Sequence, residues 1–288
     1  MIGRSVAALR SVAAWEGPTH QIGLLRFAMG AIVLAEYAQR HTAFANHDPG
    51  GMVFGLALVV SASLMCAGVF TRVASGVCAL CLVYGYHWVG VHLGQKEPFV
   101  HAHTYILMAS VVFLALMPTG RSLSVDRWWA ARGGEAPAQW GPLWPLALMR
   151  LQLALVYFWG AVDKTNVAFL SGSRLQQMYA YYYGSHEGVR LPGFDELMVV
   201  AGIGTVILEY GLAFGLWFAP ARRWLVPAGI LFHAAIYLSF PVGTFSVTSC
   251  VLYLAFVRPE EVAAGIRRLV GREGDRPAEA GDSPGGGG

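Results

Sequence analysis

Lys164 is the residue in this sequence best placed to do chemistry. It closes an apolar run, residues 145–163, and Thr165 and Asn166 follow at once. A cation at the end of a helix in hydrocarbon has three options. It can reach for the headgroups, pair with a carboxylate, or be held dry, where burial disfavours a lysine's charged form and leaves an amine able to take a proton. Glu36 and Glu209, in other apolar runs, are carboxylates that could pair with it. Asp163 adjoins it, but neighbours at i and i+1 do not face each other on a helix.

Histidines form the second group. His87 and His92 end one apolar run, His101 and His103 begin the next, and His233 lies inside a later one. Ionisable side chains within spans are costly and default to functional candidates, although a histidine there can also cap a helix or bond a neighbouring carbonyl. No H-E-x-x-H or comparable ligand spacing occurs, so no metal is predicted. Cys66, Cys78, Cys81 and Cys250 all fall in apolar runs; the Cys78/Cys81 C-x-x-C lacks a second pair and reads as small packing residues, not as a redox or disulfide framework.

The elements that must position these residues follow from composition. Of 288 residues, 56% are hydrophobic and only 13% charged, with mean hydropathy +0.50, where a soluble domain carries about a quarter charged residues. The expectation is an all-α, polytopic transmembrane bundle. The small net charge of +3 points to no nucleic-acid partner; membrane lipid is the expected surrounding. Apolar spans are expected at 22–39, 52–70, 73–93, 100–117, 145–163, 197–218, 224–240 and 243–257. That makes about eight, or seven if the last two, separated by Pro241, Val242 and Gly243, are one broken helix.

Charge asymmetry orients the bundle. Eight spans put both termini on one side, with Arg4, Arg10, Arg72, Arg121, Arg127, Arg132, Arg222, Arg223, Arg258, Arg267, Arg268, Arg272 and Arg276; the other side collects Arg40, Lys96, Arg174 and Arg190. The termini are therefore expected in the cytoplasm, and the outer half of the bundle is expected to hold a polar pocket. Residues 1–21, with Arg4 and Arg10 among apolar neighbours, suit an interfacial amphipathic segment and lack a signal-peptide pattern. Residues 22–257 form the transmembrane domain, and 258–288 a cytoplasmic tail whose composition is that of a disordered segment from 271. Segment 118–144 reads as a surface stretch with aromatic anchors. The outward connection 164–196 carries Tyr179 and Tyr181–Tyr183, which could form an interfacial belt or a lid over a site. No internal repeat is visible, which weighs against a transporter.

Several stretches together resemble a known family. Arg150-x-Gln152 followed by Val156-Tyr157-Phe158-x-x-x-Val162-x-Lys164 resembles the central segment of the vitamin K-dependent gamma-glutamyl carboxylases, a segment that also defines the HTTM (horizontally transferred transmembrane) domain. Leu24, Arg26, Phe27 and Gly30 resemble its opening helix. Gly68-x-x-x-Arg72, Lys96 with His103-Thr104-Tyr105, Ser124-Val125-Asp126, and His233 with Phe240, Gly243, Phe245 and Ser246 follow in the same order. The resemblance spans roughly 22–257. It implies a catalytic lysine at Lys164 and a supporting histidine at His103. It also implies contacts to a reduced naphthoquinone, of vitamin K or menaquinol type, at His233, Phe245 and Ser246. Two positions depart from the pattern: Asp163 stands where the carboxylases have a second lysine, and Ile236 where they have an asparagine. The expectation is of the membrane domain without the carboxylases' large lumenal domain.

By that resemblance, the amine deprotonates the quinol, oxygen adds, and the strong base so generated takes the gamma proton of a peptide glutamate before carbon dioxide adds. A site in lipid suits a lipid-soluble quinol and keeps water from the base, and His103 would donate to the developing oxyanion. The alternative is a non-catalytic membrane factor in the maturation or export of a secreted peptide, as in sporulation-delaying toxin production. Either reading places the chain in a bacterial plasma membrane.

Overall fold

The computed structural model describes residues 15–38, 49–94, 96–184, 192–240 and 242–270. The chain is almost wholly helical. A first strand, β1 (Glu16–Pro18), leads into α1 (His20–Tyr37). Then come α2 (Pro49–Ala67) and α3 (Thr71–Val83), which runs on as wider π turns over Tyr84–His92, followed by a short α4 (Lys96–Phe99) and α5 (Ala102–Ala115). A surface helix α6 (Val125–Arg132) and strand β2 (Trp140–Pro142) precede α7 (Trp144–Lys164). After it lie α8 (Val167–Leu170), α9 (Ser173–Tyr183), α10 (Phe194–Gly215), α11 (Ala219–Ser239), α12 (Gly243–Leu252, tightening to a 3-10 turn over Tyr253–Phe256) and α13 (Pro259–Val270).

Every expected span is helical over most of its length. Thr71–His92, Trp144–Lys164 and Phe194–Gly215 are long and apolar enough to cross a membrane; Gly51–Ala67, His103–Ala115 and Gly243–Phe256 are shorter apolar helices. Outward faces stay apolar, with Leu80 on α3, Val200 and Ile207 on α10, and Leu231 and Leu238 on α11 exposed, as a lipid-facing surface requires. α11 and α12 are separate helices that pack against each other.

The fold is all-α as expected, with one short pair of strands added: β1 and β2 pair antiparallel, with Gly17 opposite Gly141. Of the expected amphipathic segment 1–21, residues 1–14 lie outside the described residues, and Glu16–Pro18 are strand. Within the expected connection 164–196, Val167–Leu170 and Ser173–Tyr183 form α8 and α9 and residues 185–191 lie outside the described residues; Tyr183 donates to the Ser239 carbonyl at 2.6 Å, and Tyr179 and Tyr182 pack on Phe240. The expected disordered tail from 271 lies outside the described residues. Helix α13, with Glu260 and Glu261 in its first turn, Arg267 and Arg268 in its last and Ala263 buried against the bundle, was not foreseen.

Several residues that carried the resemblance tie helix ends at one end of the bundle, the proximal end, where the described chain begins. Buried Arg26 donates to the carbonyls of Met65, Cys66 and Leu123, so its charge meets the carbonyl-rich C-terminus of α2. Gly68, at φ +79°, turns the chain beside it; a Cβ there would come within 2.7 Å of the Arg26 guanidinium and of Ser124. Asp126 accepts from the backbone N–H of Phe70 (2.7 Å) and Thr71 (2.8 Å), meeting two unpaired donors at the start of α3. Gly30 lets α1 approach α2 closely: a Cβ would sit 2.9 Å from the Cys66 nitrogen. At the end of α12, Gln21, Arg150 and Arg222 donate to the carbonyls of Leu254, Val257, Ala255 and Phe256. The starts of α1, α3, α7 and α11 and the ends of α2, α5 and α12 therefore share this end.

Candidate functional site

Two groups of polar side chains lie toward the opposite, distal end, both anchored on α7. Pro145 opens α7 at a position where its missing N–H costs nothing. The helix closes at Thr165 (ψ 66°), whose hydroxyl donates back to the Ala161 carbonyl at 2.7 Å. Asn166 caps α8, its Oδ1 accepting from the Phe169 N–H at 3.0 Å. This sharp stop fixes Lys164 as the last helical residue.

From there Lys164 turns inward. Its Nζ donates to Glu209 Oε1 at 2.9 Å, to Oε2 at 3.0 Å and to the Gly160 carbonyl at 3.2 Å. The lysine side chain is 28% exposed and that of Glu209 7%. Gly160 makes room, since a Cβ there would lie 3.3 Å from both the ammonium and Glu209 Oε1. Of the options the sequence left open, pairing with Glu209 is the one observed. Glu36 instead accepts from the Thr244 hydroxyl, and Asp163 is exposed.

The second group is buried deeper. Tyr157 lies seven residues before Lys164, two turns back on nearly the same face of α7. Its hydroxyl bonds His233 Nε2 at 2.8 Å and also the Tyr253 hydroxyl. His233 is fully buried, its ring 5.3 Å from that of Phe245, and its Nδ1 has no partner among the described residues. Ser246 and Ser249 on α12 are buried with hydroxyls likewise unpartnered. Phe245, Ser249 and Tyr253 recur at i, i+4 and i+8 and so share one stripe of α12; His233 packs against the first and last of them. Gly229 on α11 admits Tyr253, for a Cβ there would come within 2.1 Å of its hydroxyl.

The expected pocket is thus only partly assembled. His233, Phe245 and Ser246 converge at α11 and α12. His103, half-buried in the first turn of α5, stacks on His101 with ring centroids 4.9 Å apart. Gln152 on α7 bonds the Ile106 carbonyl (2.7 Å) and the Ser110 hydroxyl (3.2 Å) on antiparallel α5, which sets the level of the two helices. At about 1.5 Å per residue, His103 lies roughly 5 Å distal of that level, Tyr157 roughly 8 Å and the Lys164 backbone roughly 18 Å. The histidine is therefore nearer the level of Tyr157 than that of Lys164. His87 and His92, expected in the pocket, are exposed on the π turns of α3. Tyr253 and Gly160, missed as site residues, carried a signal only in retrospect: Tyr157, Gly160 and Lys164 fall at i, i+3 and i+7.

His233 Nδ1 and Ser246 Oγ are buried polar atoms with no partner among the described residues, and each could bond a hydroxyl or carbonyl oxygen of a ligand. No group of His, Cys, Asp and Glu able to hold a metal occurs among the described residues.

No curated protein and no solved structure matches the chain significantly. A profile of the HTTM domain matches residues 45–260. That stretch takes in Gly68, Asp126, Arg150 and Arg222 of the helix-end ties as well as Lys164, Glu209 and His233, and it covers well over half of the sequence: this chain belongs to the HTTM domain family.

Proposed function

We propose that this membrane protein has eight spans with cytoplasmic termini in a bacterial plasma membrane, and that its outward half carries a carboxylase- or epoxidase-like reaction dependent on a reduced naphthoquinone. The gathering of alternate helix starts and ends, and of most arginines, at the proximal end supports that topology. The observation that carries the chemistry is the inward-turned Lys164, bonded to Glu209 instead of reaching to the headgroups.

In this reading the Lys164 ammonium first passes a proton to the Glu209 carboxylate that it bonds, and the neutral amine, held in place by the resulting carboxylic acid, then takes a proton from an acidic hydroxyl of the substrate. His233, through Nδ1, and Ser246 hold the ligand's oxygens, with Phe245 against its ring. Tyr157, bonded to Nε2, leaves Nδ1 aimed at the ligand and fixes the imidazole orientation. His103 stands at the level of this group as a further donor. A bound reduced naphthoquinone supplies the reducing power for oxygen and thereby the strong base that takes a carbon-bound proton, with a peptide glutamate as the proposed recipient of carbon dioxide.

The test is epoxide formation from reduced menaquinone or vitamin K by the protein in lipid vesicles. Wild type is expected to form epoxide and Lys164→Ala none; absence of epoxide from the folded wild type overturns the reading. The neutralisation of Lys164 by Glu209 favours one competitor, a non-catalytic factor for a secreted peptide. That competitor predicts peptide maturation in cells that survives Lys164→Ala.

A further inference from the structure

We propose that the proximal end of the bundle binds anionic phospholipid headgroups through two exposed arginine–tryptophan pairs, Arg132 with Trp128 on α6 and Arg223 with Trp224 on α11. The arginines of this end divide by what they touch. Arg26, Arg121, Arg127, Arg150 and Arg222 donate to backbone carbonyls and are spent on the fold. Arg132 and Arg223 are exposed, and no carboxylate lies within ion-pair distance of either among the described residues.

Each is held by an indole instead. The Arg132 guanidinium lies 3.7 Å from the centre of the Trp128 ring, and that of Arg223 lies 5.6 Å from that of Trp224. The rings are themselves uncovered: Trp128 is 50% exposed, its neighbour Trp129 49% and Trp224 71%. Water is a poor surrounding for three such indoles. The headgroup layer suits them, because the ring rests on acyl carbon and the N–H reaches polar atoms. A guanidinium beside the ring face keeps N–H groups for a phosphate, which it can bond at two oxygens at once.

Charge selects among lipids. Arg72, Arg267 and Arg268 are also exposed at this end, but among the described residues only Arg132 and Arg223 of the exposed arginines lie against an indole; with guanidinium groups at headgroup level, a headgroup with net negative charge is favoured over a zwitterionic one bearing the same phosphate. The distal end offers no matching pair among the described residues, where the cation nearest a ring is Lys164, 6.0 Å from Phe169 and already bonded to Glu209.

The experiment is native mass spectrometry of the full chain released from detergent containing equal amounts of phosphatidylglycerol and phosphatidylcholine with identical acyl chains. Wild type is expected to retain the anionic lipid about tenfold more often. Arg132→Gln with Arg223→Gln, which keeps length and polarity at exposed positions, is expected to lower that ratio severalfold. Arg72→Gln with Arg268→Gln, exposed at the same end but on no ring, and Arg174→Gln, on exposed distal helix α9, are each expected to lower it less. Equal retention of both lipids by wild type, or a preference that the Arg132 and Arg223 substitutions leave undiminished, overturns the proposal and leaves the two pairs to another occupant such as an acidic protein segment.

Discussion

The Lys164 ammonium has three N–H donors, and three acceptors surround it: both oxygens of Glu209 at 2.9 and 3.0 Å and the Gly160 carbonyl at 3.2 Å. No donor is left over for a lipid phosphate. A side chain long enough to reach the headgroups has turned toward the protein, and the carboxylate meeting it comes from the middle of another long apolar helix.

Removing one member of this pair strands the other. Lys164→Ala leaves a carboxylate that is 7% exposed without its counter-ion, at an expected cost of about 3 kcal/mol. Lys164→Gln combined with Glu209→Gln keeps hydrogen bonding and removes both charges, so it is expected to unfold within about 1 kcal/mol of wild type while forming no epoxide. Thermal unfolding in detergent, run alongside the epoxide assay, separates the two roles of the lysine. A double variant with full activity would show that the pair serves the fold alone.

Gly160→Ala probes the same contact more gently. Its methyl would sit 3.3 Å from the ammonium, and the lysine, at 28% exposure, has room to swing away. Stability is expected to change by less than about 1 kcal/mol, since alanine's helix preference offsets the crowding. Activity is expected to fall about tenfold from misplacement of the amine. The measurement is the epoxide rate at saturating quinol.

Gly229→Ala should behave in the opposite way. The new methyl would approach the Tyr253 hydroxyl to 2.1 Å and the ring carbon bearing it to 2.7 Å, and that ring is buried with Tyr157 and His233 around it. A loss of about 3 kcal/mol is expected. Tyr253→Leu in the same chain should recover part of it, as read by the unfolding midpoint.

Arg26→Gln tests the helix-end ties. The arginine is 1% exposed and bonds three carbonyls; glutamine is too short to reach them all. Unsatisfied buried acceptors at the end of α2 are expected to cost about 3 kcal/mol, with little effect on epoxide formation per folded molecule.

Much of this was legible in the sequence, for different reasons at different places. The helices were, because a hydrocarbon surrounding demands long apolar runs that satisfy their own backbone. The pairing of Lys164 was foreseen only as a choice between Glu36 and Glu209, because spacing along a chain does not say which helices pack together. The cluster of Tyr157, His233 and Tyr253 draws one residue from each of three helices, with no sequence period to expose it. Strand β1 escaped notice because three residues are too few to alternate, and Tyr179–Tyr183 were read as connection because helix α9 buries none of its side chains fully.

Arg26, Gly68 and Asp126 recur in the resemblance, yet their work is to fasten helices together at the proximal end. Gly68 and Asp126 lie within the stretch that the family's profile matches, and a chain could keep both and have lost Lys164 altogether. Kinship detected through such fasteners certifies an architecture; whether a given member is an enzyme has to be asked of the handful of side chains along the distal half of α7, α10, α11 and α12.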